Sequence, residues 1–308
     1  MLSLKISKIK SLQYYNEIKH KIKNFNTLGL NDDDIKKLII SKPNELIKIN
    51  NDFMANYIQD YDFNDLISYA KLKEADKPTD TKYHLKIVGI KSIFNYKNII
   101  GSKYYLAEIL DQHTCIYCNR NYVKTVCNSE NKILRAEYDH FFNKNKYPLL
   151  ALSFYNLIPI CSTCNKKKSD NDFDLNNYLH PYLMSDEDKK FNFSYRKKNY
   201  IDNNVRLCTT TTDPAVEKKI NTTFKDLFLT EIYNSNSDKE LRDLLDLRYK
   251  YSKNYLDILL NTTFKKLPIT KEEVYRMIFG IEINEEDYHK RPFSKFKKDI
   301  IEELLRSK

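Results

Sequence analysis

Glycine and proline are both scarce in this chain of 308 residues, which contains only 4 Gly and 8 Pro. β-Sandwiches, propellers and doubly wound sheets need glycine for their tight turns and phosphate-binding loops, so the composition argues against these folds. No internal repeat of about 20 to 50 residues is visible. The sequence therefore predicts a mainly helical protein.

Long apolar stretches are also missing. No run approaches the roughly 18 consecutive apolar residues that a membrane-spanning helix needs. Lysines interrupt residues 1–23 too often for the apolar core of a signal peptide. We therefore expect a soluble, cytoplasmic protein with no membrane partner. Hydrophobic residues still make up 41% of the chain, including 24 Tyr and 16 Phe, which is enough for a buried core.

The charge balance is basic, with 52 Lys and Arg against 42 Asp and Glu, or +10 with neutral histidines. A polyanion such as nucleic acid is the first partner to consider for such a protein, and an anionic membrane is another. The abundance of Lys, Asn and Ile fits an AT-rich genome equally well. Residues 115–170 include nine basic and four acidic residues, so half of the excess positive charge lies in this segment.

Apolar residues recur three and four apart from residue 1 to about 110, which predicts helices. Asn31, followed by the acidic residues 32–34, predicts a helix start, and Pro43 predicts where that helix ends. The polar segment 76–81 predicts a break. Further helices are expected over 44–75, 87–94 and 104–110.

The second half of the chain predicts one β-hairpin and several helices. Residues 191–212 alternate between apolar and polar, with Asp202, Asn203 and Asn204 at the centre, which indicates the hairpin. Helices are expected over 214–266, with a break near 234–238, and after Pro268 through Ile278 and over 293–305.

The last predicted helix has an apolar stripe with lysines outside it. The stripe comprises Phe293, Phe296, Ile300 and Leu304, and the lysines are Lys295, Lys297 and Lys298. Two interpretations stay open: a core stripe with solvated lysines, or a second patch for nucleic acid or a partner.

Six cysteines without a secretory signal favour thiols or metal ligands over disulfides. Four of them form two Cys-x-x-Cys pairs separated by 42 residues: Cys115 with Cys118, and Cys161 with Cys164. Each pair can direct two thiolates at one ion, and two pairs complete a tetrahedral Zn²⁺ site. Four thiolates leave no open position, so this zinc is predicted to be structural. Cys127 and Cys208 lack such spacing and are expected to be packed thiols.

The segments between and after the cysteine pairs read RAEYDHFF, YPLLALSFYNLIPIC and CNKKKSD. In this order they resemble the HNH endonucleases, also called His-Me finger nucleases. The resemblance implies a ββα-metal nuclease core, held by the four-cysteine zinc site, as a small α+β insert in a mainly α protein. It gives three regions: helical residues 1–112, the core at 113–185, and a β-hairpin with helices at 186–308.

The resemblance also implies a role for each matching residue. His140 would be the general base that takes a proton from water, and Asp139 would bind a divalent cation. Asn156 would hold the loop that orients the histidine. Asn165 would be the second ligand of that cation, where the family often has His; its amide oxygen suits Mg²⁺ or Mn²⁺.

The lysines that follow Asn165 are candidates for substrate binding. Lys166, Lys167 and Lys168 are expected to contact DNA phosphates, with a solvated helix face as the alternative. His113 and His180 are expected to be structural. His180 could also touch substrate.

The amino-acid sequence of the core is also similar to that of bacterial HNH effectors of anti-phage systems of the Septu and retron-linked types. That similarity implies DNA hydrolysis, double-stranded DNA as substrate and an ABC-type or SMC-like ATPase as partner. Two alternatives are a zinc-held DNA-binding module without catalysis and an assembly subunit whose helical flanks bind the ATPase.

Overall fold

The computed structural model describes residues 1–101, 103–127, 132–169, 171–197, 203–235, 237–250, 258, 262–263 and 267–306. Helices dominate this part of the chain, and three small antiparallel sheets accompany them. The expectation of a mainly helical fold is therefore confirmed.

Six α-helices form the N-terminal region. They are α1 (Lys8–Ile18), α2 (Asp32–Ile40), α3 (Pro43–Tyr57), α4 (Phe63–Lys71), α5 (His84–Ile93) and α6 (Tyr105–Leu110). Asn31 caps α2 in a capping box with Asp34, as the sequence indicates. Pro43 does not end α2, which stops at Ile40. It is the first residue of α3, a position where its missing N–H costs nothing.

Two short strand pairs and one helix make up the middle region. Strands β1 (Val126–Cys127) and β2 (Lys132–Leu134) form one pair. Strands β3 (Glu137–His140) and β4 (Leu157–Ile160) form the other, and α7 (Ser162–Lys168) follows β4 directly. Because α7 packs against β3, these three elements form a ββα arrangement.

The predicted hairpin is present as β5 (Phe191–Lys197) paired with β6 (Asn203–Thr209). Asn203 and Asn204 belong to β6, whereas Asp202 lies outside the described residues. The helices that follow are α8 (Pro214–Asp226), α9 (Leu229–Asn234), α10 (Arg242–Lys250), α11 (Lys271–Phe279) and α12 (Ser294–Arg306). Most of 251–266, predicted to be helical, lies outside the described residues.

Buried apolar side chains from all three sequence regions join one hydrophobic core. The four residues of the C-terminal stripe are among them, so the core interpretation of that stripe is confirmed. The division into three regions stays a prediction. No helix within the described ranges is both long and apolar enough to cross a membrane.

Two further details of the sequence analysis are wrong. Cys127 is exposed at the end of β1 and is not a packed thiol, whereas Cys208 is half-buried. Lys295 is not solvated: its ammonium group donates to Asp299 Oδ2 at 2.6 Å, and only 14% of its side chain is exposed. Lys297 and Lys298 are paired with Glu240 and Glu302. These pairs leave little free positive charge for a second nucleic-acid patch.

Candidate active site

The four paired cysteines meet in one buried cluster. The ligand atoms of Cys115, Cys118, Cys161 and Cys164 all lie within 4.8 Å of one another. The Cys118 and Cys161 sulfurs are 4.0 Å apart. A tetrahedral zinc ion with Zn–S bonds near 2.3 Å would place its sulfurs about 3.8 Å apart. The cluster therefore has the donor set and the spacing for a structural zinc ion.

Polar N–H groups point at two of these sulfurs. The backbone N–H of Arg120 donates to Cys118 Sγ at 3.4 Å, and the side-chain amide of Asn121 donates to Cys161 Sγ at 3.3 Å. Donors of this kind stabilise thiolates and orient metal ligands. They therefore support metal binding over a cluster of four neutral thiols.

A cavity of about 280 Å³ opens next to β3 and α7. Its basic, acidic and histidine lining residues are Arg135, Glu137, Asp139, His140, Lys144 and Lys168. Asp139 and His140 are the last two residues of β3, and both line the cavity.

Asp139 is buried, and both of its carboxylate oxygens accept hydrogen bonds. Lys168 donates to Oδ1 at 2.9 Å, and the Tyr117 hydroxyl donates to Oδ2 at 2.6 Å. Burial, together with the Asp139 charge, raises the pKa of Tyr117 well above its usual value, so the phenol remains a donor. Tyr117 lies between the two cysteines of the first pair, so the cluster positions the side chain that holds Asp139.

His140 is 8% exposed and is held in one orientation. Its Nε2 atom lies 3.0 Å from the carbonyl oxygen of Ala151. A carbonyl only accepts hydrogen bonds, so Nε2 carries the proton and Nδ1 is left as an acceptor. The Tyr96 ring makes an edge contact with the imidazole at 4.6 Å. Burial lowers the pKa of His140 to about 3, which keeps the ring neutral at physiological pH.

Asn156 binds the backbone of the chain that follows His140. Its Oδ1 accepts the Phe142 N–H at 2.7 Å, and its amide donates to the carbonyls of Phe142 and Leu150 at 3.1 and 2.9 Å. Asn156 is fully buried and does not line the cavity. It therefore acts on the backbone that carries His140 and does not touch the cavity itself.

Asn165 lines the cavity from α7, directly after the last cysteine of the second pair. Its amide donates to Glu137 Oε2 at 2.8 Å. Glu137 and Asp139 both line the cavity from β3. The sequence analysis missed Glu137, although its position two residues before Asp139 could have indicated it. Two carboxylates and one amide oxygen are suitable donors for a Mg²⁺ or Mn²⁺ ion that keeps several waters.

The three consecutive lysines of α7 do not act together. Lys166 and Lys167 are exposed and do not line the cavity, and Lys167 faces the Phe228 ring. Lys168 is 1% exposed and also donates to the His140 carbonyl at 2.6 Å. The structure therefore contradicts the expected phosphate contact by Lys168. This residue is the last of α7, its side chain points into the protein, and it is the buried counter-ion of Asp139.

The two histidines expected to be structural lie outside the cavity lining. His180 is buried against the Phe141 ring, with the ring centroids 4.1 Å apart. His113 is half-buried beside His289 and lies 3.3 Å from Asp111. Neither position favours a substrate contact.

Comparison with known proteins gives one partial similarity. Over 108 residues the chain is 28% identical to the Septu protein PtuB of Bacillus thuringiensis, a match that covers 34% of this chain and 39% of that protein. The chain thus aligns with well under half of the relative's length. No protein-family profile matches the chain, and no solved structure matches it.

Proposed function

We propose that this protein is an HNH-type endonuclease that hydrolyses DNA phosphodiester bonds with the help of a divalent cation. The observation that carries the proposal is the joint placement of Asp139, His140 and Asn165 around one cavity. The cysteine cluster adjoins this site twice: Tyr117, within its first pair, donates to Asp139, and Asn165 directly follows its second pair. A zinc ion with four thiolates supports the fold and does no chemistry.

In the proposed reaction, His140 Nδ1 accepts a proton from the attacking water. The bond from Nε2 to the Ala151 carbonyl fixes the tautomer that this step needs. A phosphodiester in the cavity places negative charge near the ring, which raises the pKa of His140 and makes it a stronger base when substrate is bound. Asn156 keeps the ring in place by holding the Phe142 backbone.

Glu137, Asp139 and Asn165 would hold the catalytic Mg²⁺ or Mn²⁺. Asp139 would exchange its hydrogen bond from Lys168 or Tyr117 for this contact. A cation at this position would polarise the phosphate and stabilise the leaving oxygen. Lys168 remains next to the His140 carbonyl and preserves the end of β3 during the exchange.

A role in anti-phage defence is the second part of the proposal. It is supported by the similarity to the Septu protein PtuB and by the resemblance of the core to HNH effectors. The same resemblance suggests an ATPase partner. Co-purification of an ATPase with this protein from its native operon would support that partner, whereas a stable, unregulated monomeric nuclease would count against it.

One observation favours a second candidate, a zinc-held DNA-binding or assembly subunit without catalysis. Both oxygens of Asp139 are already hydrogen-bonded within the protein, as they would be for a purely structural carboxylate. The two candidates differ in one measurable property, which is cation-dependent cleavage.

Plasmid cleavage tests the proposal. Zinc-loaded protein, freed of loosely bound cations, is incubated with supercoiled plasmid before and after addition of Mg²⁺ or Mn²⁺. We expect cleavage only with the added cation, and a loss of about 100-fold or more in His140→Ala, as for removal of a general base. His20→Ala is the matched control, because His20 is exposed and lies outside the cavity.

The zinc content and melting temperature of each variant are measured in parallel, so that misfolding is not mistaken for lost catalysis. Full cleavage by His140→Ala would contradict the nuclease proposal. DNA binding by the wild type with no cleavage under either cation would establish the second candidate instead.

A further inference from the structure

The consecutive lysines of α7 offer no free cation to the cavity. Lys166 and Lys167 lie outside the cavity, and Lys168 is occupied by Asp139 and the His140 carbonyl. A phosphodiester in the cavity needs cationic partners, because each phosphate carries a negative charge and Glu137 and Asp139 add two more. Among the described lining residues, the remaining cations are Arg135 and Lys144.

Arg135 is fixed before any substrate binds. Its Nη1 atom donates to the Ala136 carbonyl at 2.7 Å, and its Nη2 atom donates to the Gly101 carbonyl. The guanidinium also lies over the rings of Tyr104 and Tyr138, at 5.9 and 5.5 Å. These neighbours are neutral, so they orient the cation without cancelling its charge. A preorganised guanidinium loses little entropy when it binds a phosphate.

Lys144 adds a second positive charge to the cavity lining. Its ammonium group lies 4.9 Å from the centre of the Tyr96 ring, and the same ring contacts His140. Lys144 and His140 therefore both contact the Tyr96 ring. Lys144 is exposed, and in the part of the chain that the structure describes no carboxylate forms an ion pair with it or with Arg135.

We propose that Arg135 and Lys144 bind the DNA backbone phosphates and place the scissile phosphate against His140 and Asp139. This inference rests on the proposed nuclease function and names the substrate contacts of that site. Both residues lie in the loops that flank β3, so the strand that carries the catalytic pair also sets the position of the phosphate. Contacts of this kind position a duplex without reading its sequence.

Fluorescence anisotropy with a labelled DNA duplex tests the inference. All proteins carry His140→Ala to prevent cleavage and are otherwise full-length and zinc-loaded. Arg135→Gln/Lys144→Gln is compared with Lys166→Gln/Lys167→Gln, which removes the same charge from exposed positions outside the cavity. Dissociation constants are measured between about 50 and 200 mM salt, because the salt dependence counts phosphate contacts.

For the Arg135/Lys144 double variant we expect affinity to fall about tenfold or more. We also expect the slope of log affinity against log salt to become shallower by about two. The Lys166/Lys167 control should weaken binding by less than about threefold, as for general attraction alone. Lys144→Gln alone changes an exposed side chain and should reduce the slope by about one. This single variant still tests the inference if Arg135→Gln prevents the protein from folding.

Equal losses in the two double variants would overturn the inference, and so would unchanged affinity and slope in the Arg135/Lys144 variant. If the wild type still cleaves plasmid, either result removes the phosphate assignment and leaves the nuclease proposal intact. A wild type that neither binds nor cleaves DNA would remove both. Tighter binding of an RNA duplex of the same sequence would overturn DNA as the ligand.

Discussion

Asp139 connects the two cysteine pairs to the candidate active site through hydrogen bonds. Tyr117, from the first pair, and Lys168, from the helix that carries the second, each satisfy one of its oxygens. A buried carboxylate is costly unless it is paired and hydrogen-bonded, so these two partners offset the cost of burying Asp139. The Tyr117 contact joins residues 22 positions apart and has no signature in the local sequence.

Tyr117→Phe should therefore destabilise the protein. It removes a hydrogen bond to a buried charge, which contributes about 1.5 to 3 kcal/mol. Chemical denaturation of the zinc-loaded protein without added Mg²⁺ measures the change. Tyr138→Phe is the matched control, because the buried Tyr138 hydroxyl has no hydrogen-bond partner in the described structure. Equal destabilisation by both substitutions would contradict the role given to Tyr117.

His180 should make the protein less stable in mild acid. Burial lowers its pKa in the folded state from 6.5 to about 3, so the unfolded chain binds a proton that the folded chain does not. The stabilisation is complete above pH 6.5 and is lost as the pH falls from 6.5 toward 3, at roughly 1.4 kcal/mol per pH unit. The cause is local: the ring packs against Phe141, and its Nε2 atom has no hydrogen-bond partner among the described residues.

His180→Gln cannot titrate, so it is compared with the wild type by denaturation at pH 7 and pH 5. We expect the wild type to lose about 2 kcal/mol more than the variant over this interval. His140 is buried as well and contributes to both proteins alike, so it cancels in the comparison. Parallel losses in the two proteins would show that His180 does not bind the extra proton on unfolding.

At the scale of single elements, local chemistry explains why α2 begins where it does. The Asn31 side chain accepts the Asp34 N–H at 3.0 Å, and Asp34 accepts the Asn31 N–H in return at 3.1 Å. Asn31→Ala should lower the free energy of unfolding by about 1 kcal/mol. Ser7→Ala at the start of α1 is the control, because Ser7 makes no side-chain cap and should change it little. Denaturant titration checks both, and an equal cost would contradict the cap.

Elements with a strong local signal could be predicted from the sequence, and long-range contacts could not. The cap before α2, the alternation in β5 and β6 and the C-terminal apolar stripe all depend on residues close together in the chain. In contrast, β1 and β2 form a separate exposed pair that has no such local signal. Two-residue and three-residue strands are too short to show a periodic pattern.

The candidate site divides in the same way. Cysteine spacing indicated the cluster, and the family resemblance indicated Asp139, His140, Asn156 and Asn165, all of which lie in or next to the cavity. Lys168 was misjudged because charge alone does not reveal which face of a helix is buried. Arg135 and Lys144 were counted only as general positive charge, since their position beside His140 depends on the fold.

For the whole molecule, the cysteine cluster is the place where the termini meet the middle region. The Leu2 N–H donates to the Ile116 carbonyl at 2.8 Å, and the Phe293 N–H donates to the Asn119 carbonyl at 2.7 Å. Tyr233, from α9, donates to the Cys118 carbonyl at 2.6 Å. All three acceptors lie within or beside the first cysteine pair. The loop that a zinc ion would fix therefore also anchors segments from both ends of the described chain.

Loss of zinc should consequently unfold more than the middle region. Structural zinc sites contribute on the order of 10 kcal/mol, and here the ligands lie inside the one core that joins all three regions. We expect a strong chelator to release one zinc per chain and to abolish the cooperative thermal transition. Circular dichroism and tyrosine fluorescence together would measure that transition. Cys115→Ser should behave like the chelated protein. Cys127→Ser is the control: it should retain zinc and melt like the wild type, because Cys127 is exposed and lies outside the cluster. Full zinc release with an unchanged melting curve would show that the packing between regions holds without the metal.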